Sequence, residues 1–204
     1  MSSVKLGDSL VEPTKILCVG RNYLEHIQEL NNSVPEQMVV FSKPPTSIST
    51  QLASFHQERL HYESEICFIV KGGQLAAVGV GLDLTKRNMQ SRLKEQGLPW
   101  ERAKAFDGSA VFSRFVPLDG LKIDSLEIEL FINCVRVQKG CVKQMMYSPQ
   151  VILDELKTYT TLCDGDIIMT GTPQGVGEVH ADDVFLARLK SADKTLIEIE
   201  WVAQ

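Results

Sequence analysis

The chain has 204 residues, 44% of them hydrophobic and 23% charged, with a formal net charge of −5. These are the proportions of a packed globular protein, read as one domain over 1–204 with an N-terminal extension over 1–14. The acidic balance gives no electrostatic footprint for nucleic acid, no basic run suits a membrane surface, and no apolar stretch approaches the ~20 residues of a membrane span.

The segment from Met1 to Asp8 lacks the apolar core of a signal peptide, and the five cysteines show no CxxC pairing, so a soluble cytoplasmic protein is expected. Residues 15–19 read as a short buried strand closed by Gly20. Asn22 with Glu25 three residues later resembles a capping box, opening a short helix through Leu30. On that helix His26 and Glu29 are at i and i+3, so a carboxylate-oriented imidazole suited to general-base work is available; taken alone, the pair reads as a surface ion pair. Residues 38–41 form the next strand, stopped by Pro44 and Pro45.

Residues 61–70 alternate as a strand ending at Gly72-Gly73. One face carries His61, Glu63, Glu65, Cys67 and Ile69, the other Tyr62, Ser64, Ile66, Phe68 and Val70, and neither reads as solvated. Glu63 and Glu65, with Cα atoms roughly 6.5–7 Å apart, then point into semi-buried ground, where like charges need a cation or strong donors. Oxygen-only ligands suit Mg²⁺ or Mn²⁺. A lone Glu-x-Glu pair, however, reads more readily as strand side chains turned to water.

A strand over 76–82 leads into a helix over about 85–96, terminated by Gly97 and Pro99. Asp83 stands at the junction with Arg87 and Gln90 at i+4 and i+7, one helical face able to supply a further metal ligand, a carboxylate clamp and an orienting donor. Alone, Asp83 is an acid favoured by the helix dipole above an ordinary Arg and Gln. Lys104 is a single charge in a small apolar run, which alone suggests a snorkelling lysine. Residues 126–134 alternate and hairpin into 135–138, and Ser148-Pro149 starts a helix running to about Leu162. Strands follow over 167–169, 184–189 and 196–202. Between them, the loop from Thr170 to Gly177 offers backbone N–H groups and a hydroxyl to an anion, or is simply a tight turn. Many strands with three helices indicate a β-dominated α+β protein. Gly79-Val80-Gly81 lacks the third glycine of a dinucleotide fingerprint, and no phosphate loop follows Gly171 or Gly175, so nucleotide chemistry is not indicated.

Several stretches, in order, resemble the fumarylacetoacetate hydrolase family, in its short acylpyruvase and oxaloacetate decarboxylase branch. They are Val19-Gly20-Arg21-Asn22-Tyr23 with His26 and Glu29, Phe41-Ser42-Lys43-Pro44, His61-Tyr62-Glu63-Ser64-Glu65, and Leu82-Asp83-Leu84-Thr85 with Arg87 and Gln90. Gly97-Leu98-Pro99-Trp100, Ala103-Lys104-Ala105-Phe106-Asp107 and the 170–177 loop complete the set, over about residues 15–185. The resemblance implies a mixed β-sandwich roll with a few short helices, a small 2-oxo acid substrate and a homodimer. It implies that Glu63, Glu65 and Asp83 bind Mg²⁺ or Mn²⁺, and that His26 and Glu29 activate water on a lid helix. Lys104 would partner the developing negative charge, Arg21, Arg87 and Gln90 would contact substrate, and Thr172 would lie in the binding loop. The expected reaction is hydrolysis of acylpyruvates (2,4-dioxo acids) to pyruvate and a carboxylic acid through an enolate held by the cation, with oxaloacetate decarboxylation as a second activity. Oxaloacetate tautomerisation and fumarylpyruvate hydrolysis or isomerisation are the alternatives of the same family. The rival is a metal- or ligand-binding protein without catalysis, against which His26, Glu29 and Lys104 speak, since cation binding needs none of them. Two departures stand out: the chain between Glu65 and Asp83 is short, as if a connecting helix were trimmed to the Gly72-Gly73 turn, and Asn88 stands where relatives usually carry an acid.

Overall fold

The computed structural model describes residues 2–29 and 33–204. The elements that position the site are, in chain order, β1 (Ile16–Gly20), α1 (Leu24–Glu29), β2 (Val39–Lys43), β3 (Ile48–Ser49), β4 (Ser64–Lys71), β5 (Gln74–Asp83), α2 (Arg87–Glu95), α3 (Glu101–Lys104), β6 (Ala110–Phe112), β7 (Leu126–Ile132), β8 (Val135–Cys141), α4 (Pro149–Lys157), β9 (Ile167–Met169), β10 (Val184–Ser191) and β11 (Lys194–Val202). One mixed sheet has the order β2-β1-β9-β4-β5-β6-β3; a second, antiparallel, has β8-β7-β10-β11. Among the described residues no helix is long and apolar enough to cross a membrane.

The alternation of β4 is reproduced. Ile66 and Phe68 enter the core between the two sheets with Ile128, Leu130, Phe185 and Leu189. Cys67 and Ile69, on the opposite face, pack with Ile16, Met169 and Phe115 in a second cluster. Val4 belongs to that second cluster, so the hairpin of Val4–Leu6 and Ser9–Val11 is docked by its own apolar side chain. Helix α4 covers the β1–β9 region through Ile152, Leu153 and Leu156. It starts as expected, with Ser148 Oγ accepting from Val151 N at 3.4 Å and Pro149 in the first turn, but ends at Lys157 rather than near Leu162.

The antiparallel pairing of β4 with β5 places the acidic residues. From the turn at Gly72-Gly73 the register starts as Lys71↔Gln74 and Val70↔Leu75, then slips by one at a bulge containing Ala76, giving Ile69↔Ala77 and Glu65↔Gly81. A one-residue slip exchanges the faces of a strand. Because of it Asp83 stands opposite Glu63, its N–H donating to Glu63 O at 2.9 Å, and shares a face with Glu63 and Glu65. Without the bulge, Asp83 would project to the other side.

Three expectations are corrected. Asp83 is the last residue of β5, and α2 begins only at Arg87, because Thr85 is held in a bridge to His61 before the helix starts. Asp83 and Arg87 therefore reach the same cavity from a strand end and a helix start, not from one helical face. Asn22 does not cap α1. Its carboxamide accepts from Tyr147 N at 2.7 Å and donates to Thr170 O at 2.8 Å, tying the start of the helix to two distant loops. The expected end of that helix at Leu30 lies outside the described residues. A further short helix, α3, carries Lys104.

Candidate active site

The ends of β1, β4 and β5, the loop after β9 and helices α1, α2 and α3 meet around a small cavity open to solvent. Its lining includes Arg21, His26, Glu63, Glu65, Asp83, Arg87, Gln90, Lys104 and Thr172, so nine of the ten residues singled out in the sequence converge here. The tenth, Glu29, reaches the cavity through His26.

Glu63, Glu65 and Asp83 form the floor. One oxygen from each lies within 4.8 Å of the others, and all three side chains are buried. Lys104 Nζ donates to Glu63 at 2.8 Å, Asp83 at 2.7 Å and Thr85 Oγ1 at 2.6 Å. Arg87 pairs with the other oxygen of Glu63, and its second terminal nitrogen donates to Gln90 Oε1 at 2.7 Å. Lys43, fully buried, directs its ammonium to Lys104 O, Ser109 O and Ser109 Oγ. It stands 2.9 Å from Asp83 Oδ1, yet out of line for a hydrogen bond, so that oxygen is a buried acceptor with no donor.

Electrostatics separates the three acids. Burial opposes ionisation of Glu63, but Lys104 and Arg87 outweigh it and hold the carboxyl well below the usual carboxylate range. Glu65 is pushed well up by burial and by the charges of Asp83 and Glu63, against the Gly171 N–H that donates to it at 2.7 Å. Burial works against the Lys104 charge too, but Asp83 and Glu63 raise its pKa, so it keeps its proton. The floor thus holds one carboxylate oxygen without a donor and one carboxyl short of positive charge, in a set of oxygen donors only. Such a set fits a hard divalent cation. Ionised Glu65 would be the ligand form, so Mn²⁺ affinity should rise with pH through the raised Glu65 pKa, with proton release on binding. Calorimetry in buffers of different ionisation enthalpy measures this; binding without proton release would contradict it.

His26 is buried at the cavity wall, and its Nδ1 lies 3.2 Å from Glu29 Oε2. Both Glu29 oxygens accept from Gly175 N, at 2.9 and 3.2 Å. An ionised carboxylate only accepts, so in the neutral ring Nδ1 carries the hydrogen and Nε2 the lone pair. Gly175 is required there: its φ is +97°, and a Cβ would stand 2.0 Å from Val137 O. Thr172 lines the cavity, but its hydroxyl donates to Ser64 O at 2.9 Å and accepts from Gln138 Nε2 at 2.9 Å. It therefore braces the loop against β4 and β8.

Arg21 sits at φ +57°, a left-handed conformation uncommon for a residue with a side chain. Phe41 and Trp100 form the apolar part of the wall, their rings 6.0 Å apart. Sequence reasoning gives no role to Lys43, Lys94 or Thr85. Lys43 left only the signal of a charge closing an apolar strand before Pro44, and Lys94 that of falling at i+7 from Arg87 and i+4 from Gln90. At the N-terminus of α2, Glu58 Oε1 accepts from Asn88 N at 2.9 Å.

The profile of the fumarylacetoacetate (FAA) hydrolase C-terminal family matches residues 15–201. Oxaloacetate tautomerase YcgM of Escherichia coli is 33% identical over 187 residues, covering 83% of this chain and 85% of its own. The human mitochondrial oxaloacetate tautomerase FAHD1 is 33% identical over 202 residues, covering 91% of each chain. The crystal structure of fumarylpyruvate hydrolase from Pseudomonas aeruginosa in complex with Mn²⁺ and pyruvate superposes with a TM-score of 0.89 at 26% identity, covering 98% of this chain and 94% of that one.

Proposed function

This chain belongs to the fumarylacetoacetate hydrolase family, and on that premise we propose that it is a divalent-metal-dependent enzyme of small 2-oxo dicarboxylates, interconverting the keto and enol forms of oxaloacetate. The observation that carries this reading is the charge pattern of one cavity. A floor of three carboxylates suits a hard cation, and a wall bearing Arg21, Arg87 and Lys94 complements a substrate with two carboxylates. Relatives named oxaloacetate tautomerase, a third identical, support the reaction.

A cation bound at Glu63, Glu65 and Asp83 supplies Lewis-acid polarisation of a 2-oxo acid. The protein's own groups do the rest. Arg87 and Gln90, coupled to each other, orient the carboxylate beside the keto group. His26 Nε2 takes a proton from C3, while Glu29 steadies the imidazolium that results. Lys104 sets a fixed positive charge beside the negative charge developing on the keto oxygen. Return of the proton from His26 to that oxygen gives the enol, with no bond broken other than C3–H.

His26→Ala is therefore expected to slow interconversion by about 10²–10⁴-fold, the usual worth of a positioned base. Oxaloacetate decarboxylation, which needs no base, should be hurt far less. Equal loss of both would remove His26 from proton transfer and leave it a role in closing the cavity.

The second reading is acylpyruvate hydrolysis, favoured by the His26–Glu29 pair, which is equally suited to deprotonate a water attacking a distal keto group. A panel of oxaloacetate, acetylpyruvate and fumarylpyruvate, assayed with Mg²⁺ and with EDTA, decides between the two. Oxaloacetate interconversion is expected to be fastest. Faster cleavage of an acylpyruvate would give hydrolysis first place, and turnover of none would overturn both.

A further inference from the structure

Among the described residues none from the second sheet lines the cavity, yet its edge strand β8 meets the loop after β9 at three points. A bulge at Val137, left unmatched between Arg136↔Phe131 and Gln138↔Leu130, brings the Val137 carbonyl against Gly175. Gly140 leaves room for Pro173, which a Cβ there would meet at 2.7 Å. Between these two points the buried side chain of Gln138 joins β4 to the loop. We propose that Gln138 is a positioning residue: its single amide sets the 170–177 loop for the acidic floor and for the His26–Glu29 pair together. The catalytic half of this assignment rests on the reading above.

Gln138 Oε1 accepts from Ser64 N at 3.0 Å, and Nε2 donates to Thr172 Oγ1 at 2.9 Å and to Pro173 O at 2.8 Å. Thr172 Oγ1 in turn donates to Ser64 O at 2.9 Å, closing a ring through both backbone groups of the residue between Glu63 and Glu65. The partners fix the orientation of the amide, since Ser64 N–H needs an acceptor and Pro173 O a donor. Two N–H groups of the loop held in this way act on the site. Gly171 N donates to Glu65 Oε2 at 2.7 Å, and Gly175 N donates to Glu29 Oε1 at 2.9 Å. Glu29 orients His26, so one loop serves both the acids of the floor and the base. Methionine at this position would fill similar space but bond neither Ser64 nor Pro173, leaving the loop free to shift.

The test crosses Gln138→Met with Glu29→Ala and takes two readouts. Mn²⁺ affinity is measured by calorimetry, and kcat for keto–enol interconversion at saturating Mn²⁺ and oxaloacetate. Gln138→Met is expected to weaken Mn²⁺ binding by about 10–100-fold with or without Glu29, because that effect passes through Ser64 and Gly171. With Glu29 present it should also lower kcat by about 10–100-fold. In the Glu29→Ala background the same substitution should change kcat by no more than about twofold, since the path through Gly175 is already cut. A residue that merely supports the fold would lower stability without this dependence on Glu29. In metal-free protein, amide exchange at Gly171 and Gly175 should quicken more than at Phe185 and Leu189 in the core. Gln138→Asn, one methylene too short to span the gap, should show the same pattern in weaker form and serves if Gln138→Met does not fold.

A kcat loss of the same factor with and without Glu29, or unchanged Mn²⁺ affinity, would overturn the role of Gln138 while leaving the proposed reaction standing. Wild-type protein that binds Mn²⁺ and does not interconvert oxaloacetate would sink the proposed reaction, and Mn²⁺ affinity with amide exchange would still decide Gln138. Wild-type protein that binds no Mn²⁺ would overturn both.

Discussion

Lys104→Met is expected to lower activity and the stability of the metal-free protein together. The ammonium lies between Glu63 and Asp83 at 2.8 and 2.7 Å, buried, with Thr85 as its third acceptor. Methionine approximates the length of the side chain and removes the charge, leaving two buried carboxylates facing each other. Breaking one partner out of a buried ion pair costs about 3–5 kcal/mol, because the remaining charge stays in low dielectric. Metal-free Lys104→Met should therefore unfold at distinctly lower temperature than wild type, and Mn²⁺ should restore much of the difference by resupplying positive charge. Turnover in saturating metal should still fall by about 10²–10³-fold, as for loss of one preorganised electrostatic group. An unchanged melting temperature in EDTA would show that the ammonium does not hold the carboxylates together.

Glu65→Gln should act with the opposite sign on stability. Glu65 carries the raised carboxyl, so its ionisation in the folded state is unfavourable and stability is lost as pH rises from the unfolded pKa through the folded one. Glutamine imitates the protonated form and keeps an oxygen for the Gly171 N–H. The metal-free variant should thus be as stable as wild type at low pH and more stable above that window. Its Mn²⁺ affinity should nevertheless fall by more than the 10–100-fold typical of groups one step removed from a metal, and metal-dependent turnover with it. Melting curves against pH and calorimetric titration measure the two halves separately. Unchanged metal affinity would remove Glu65 from the ligand set.

Much of the site was legible because it rests on short-range patterns. Alternation through 61–70 placed Glu63 and Glu65 on one face with Cys67 and Ile69, and the two core clusters divide along that line. Spacing of i and i+3 brought His26 to Glu29, and Ser148-Pro149 opened α4 as read. What escaped depended on contacts made far along the chain. The bulge at Ala76 has no local signature, yet it turns Asp83 toward the glutamates. Asn22 looked like a cap because its type suits one, but Tyr147 and Thr170, more than a hundred residues away, claim its carboxamide. Lys43 gave no sign of its burial, since only the fold brings to it the acceptors on Lys104 and Ser109 that make it tolerable. Glu58 at the start of α2 is a similar case, because its partner Asn88 is 30 residues on.

The claim that one buried acidic floor and one cationic wall form a metal-dependent centre for oxaloacetate is tested most directly by keto–enol interconversion of purified protein, measured after EDTA treatment and after readdition of Mg²⁺ or Mn²⁺, with the rate of the free metal ion in buffer subtracted. Loss of the protein-dependent rate in EDTA, and its recovery to the starting value with either ion but not in Glu65→Gln, is the predicted result. A protein-dependent rate that persists in EDTA, or that never exceeds the free ion in any metal, would contradict it.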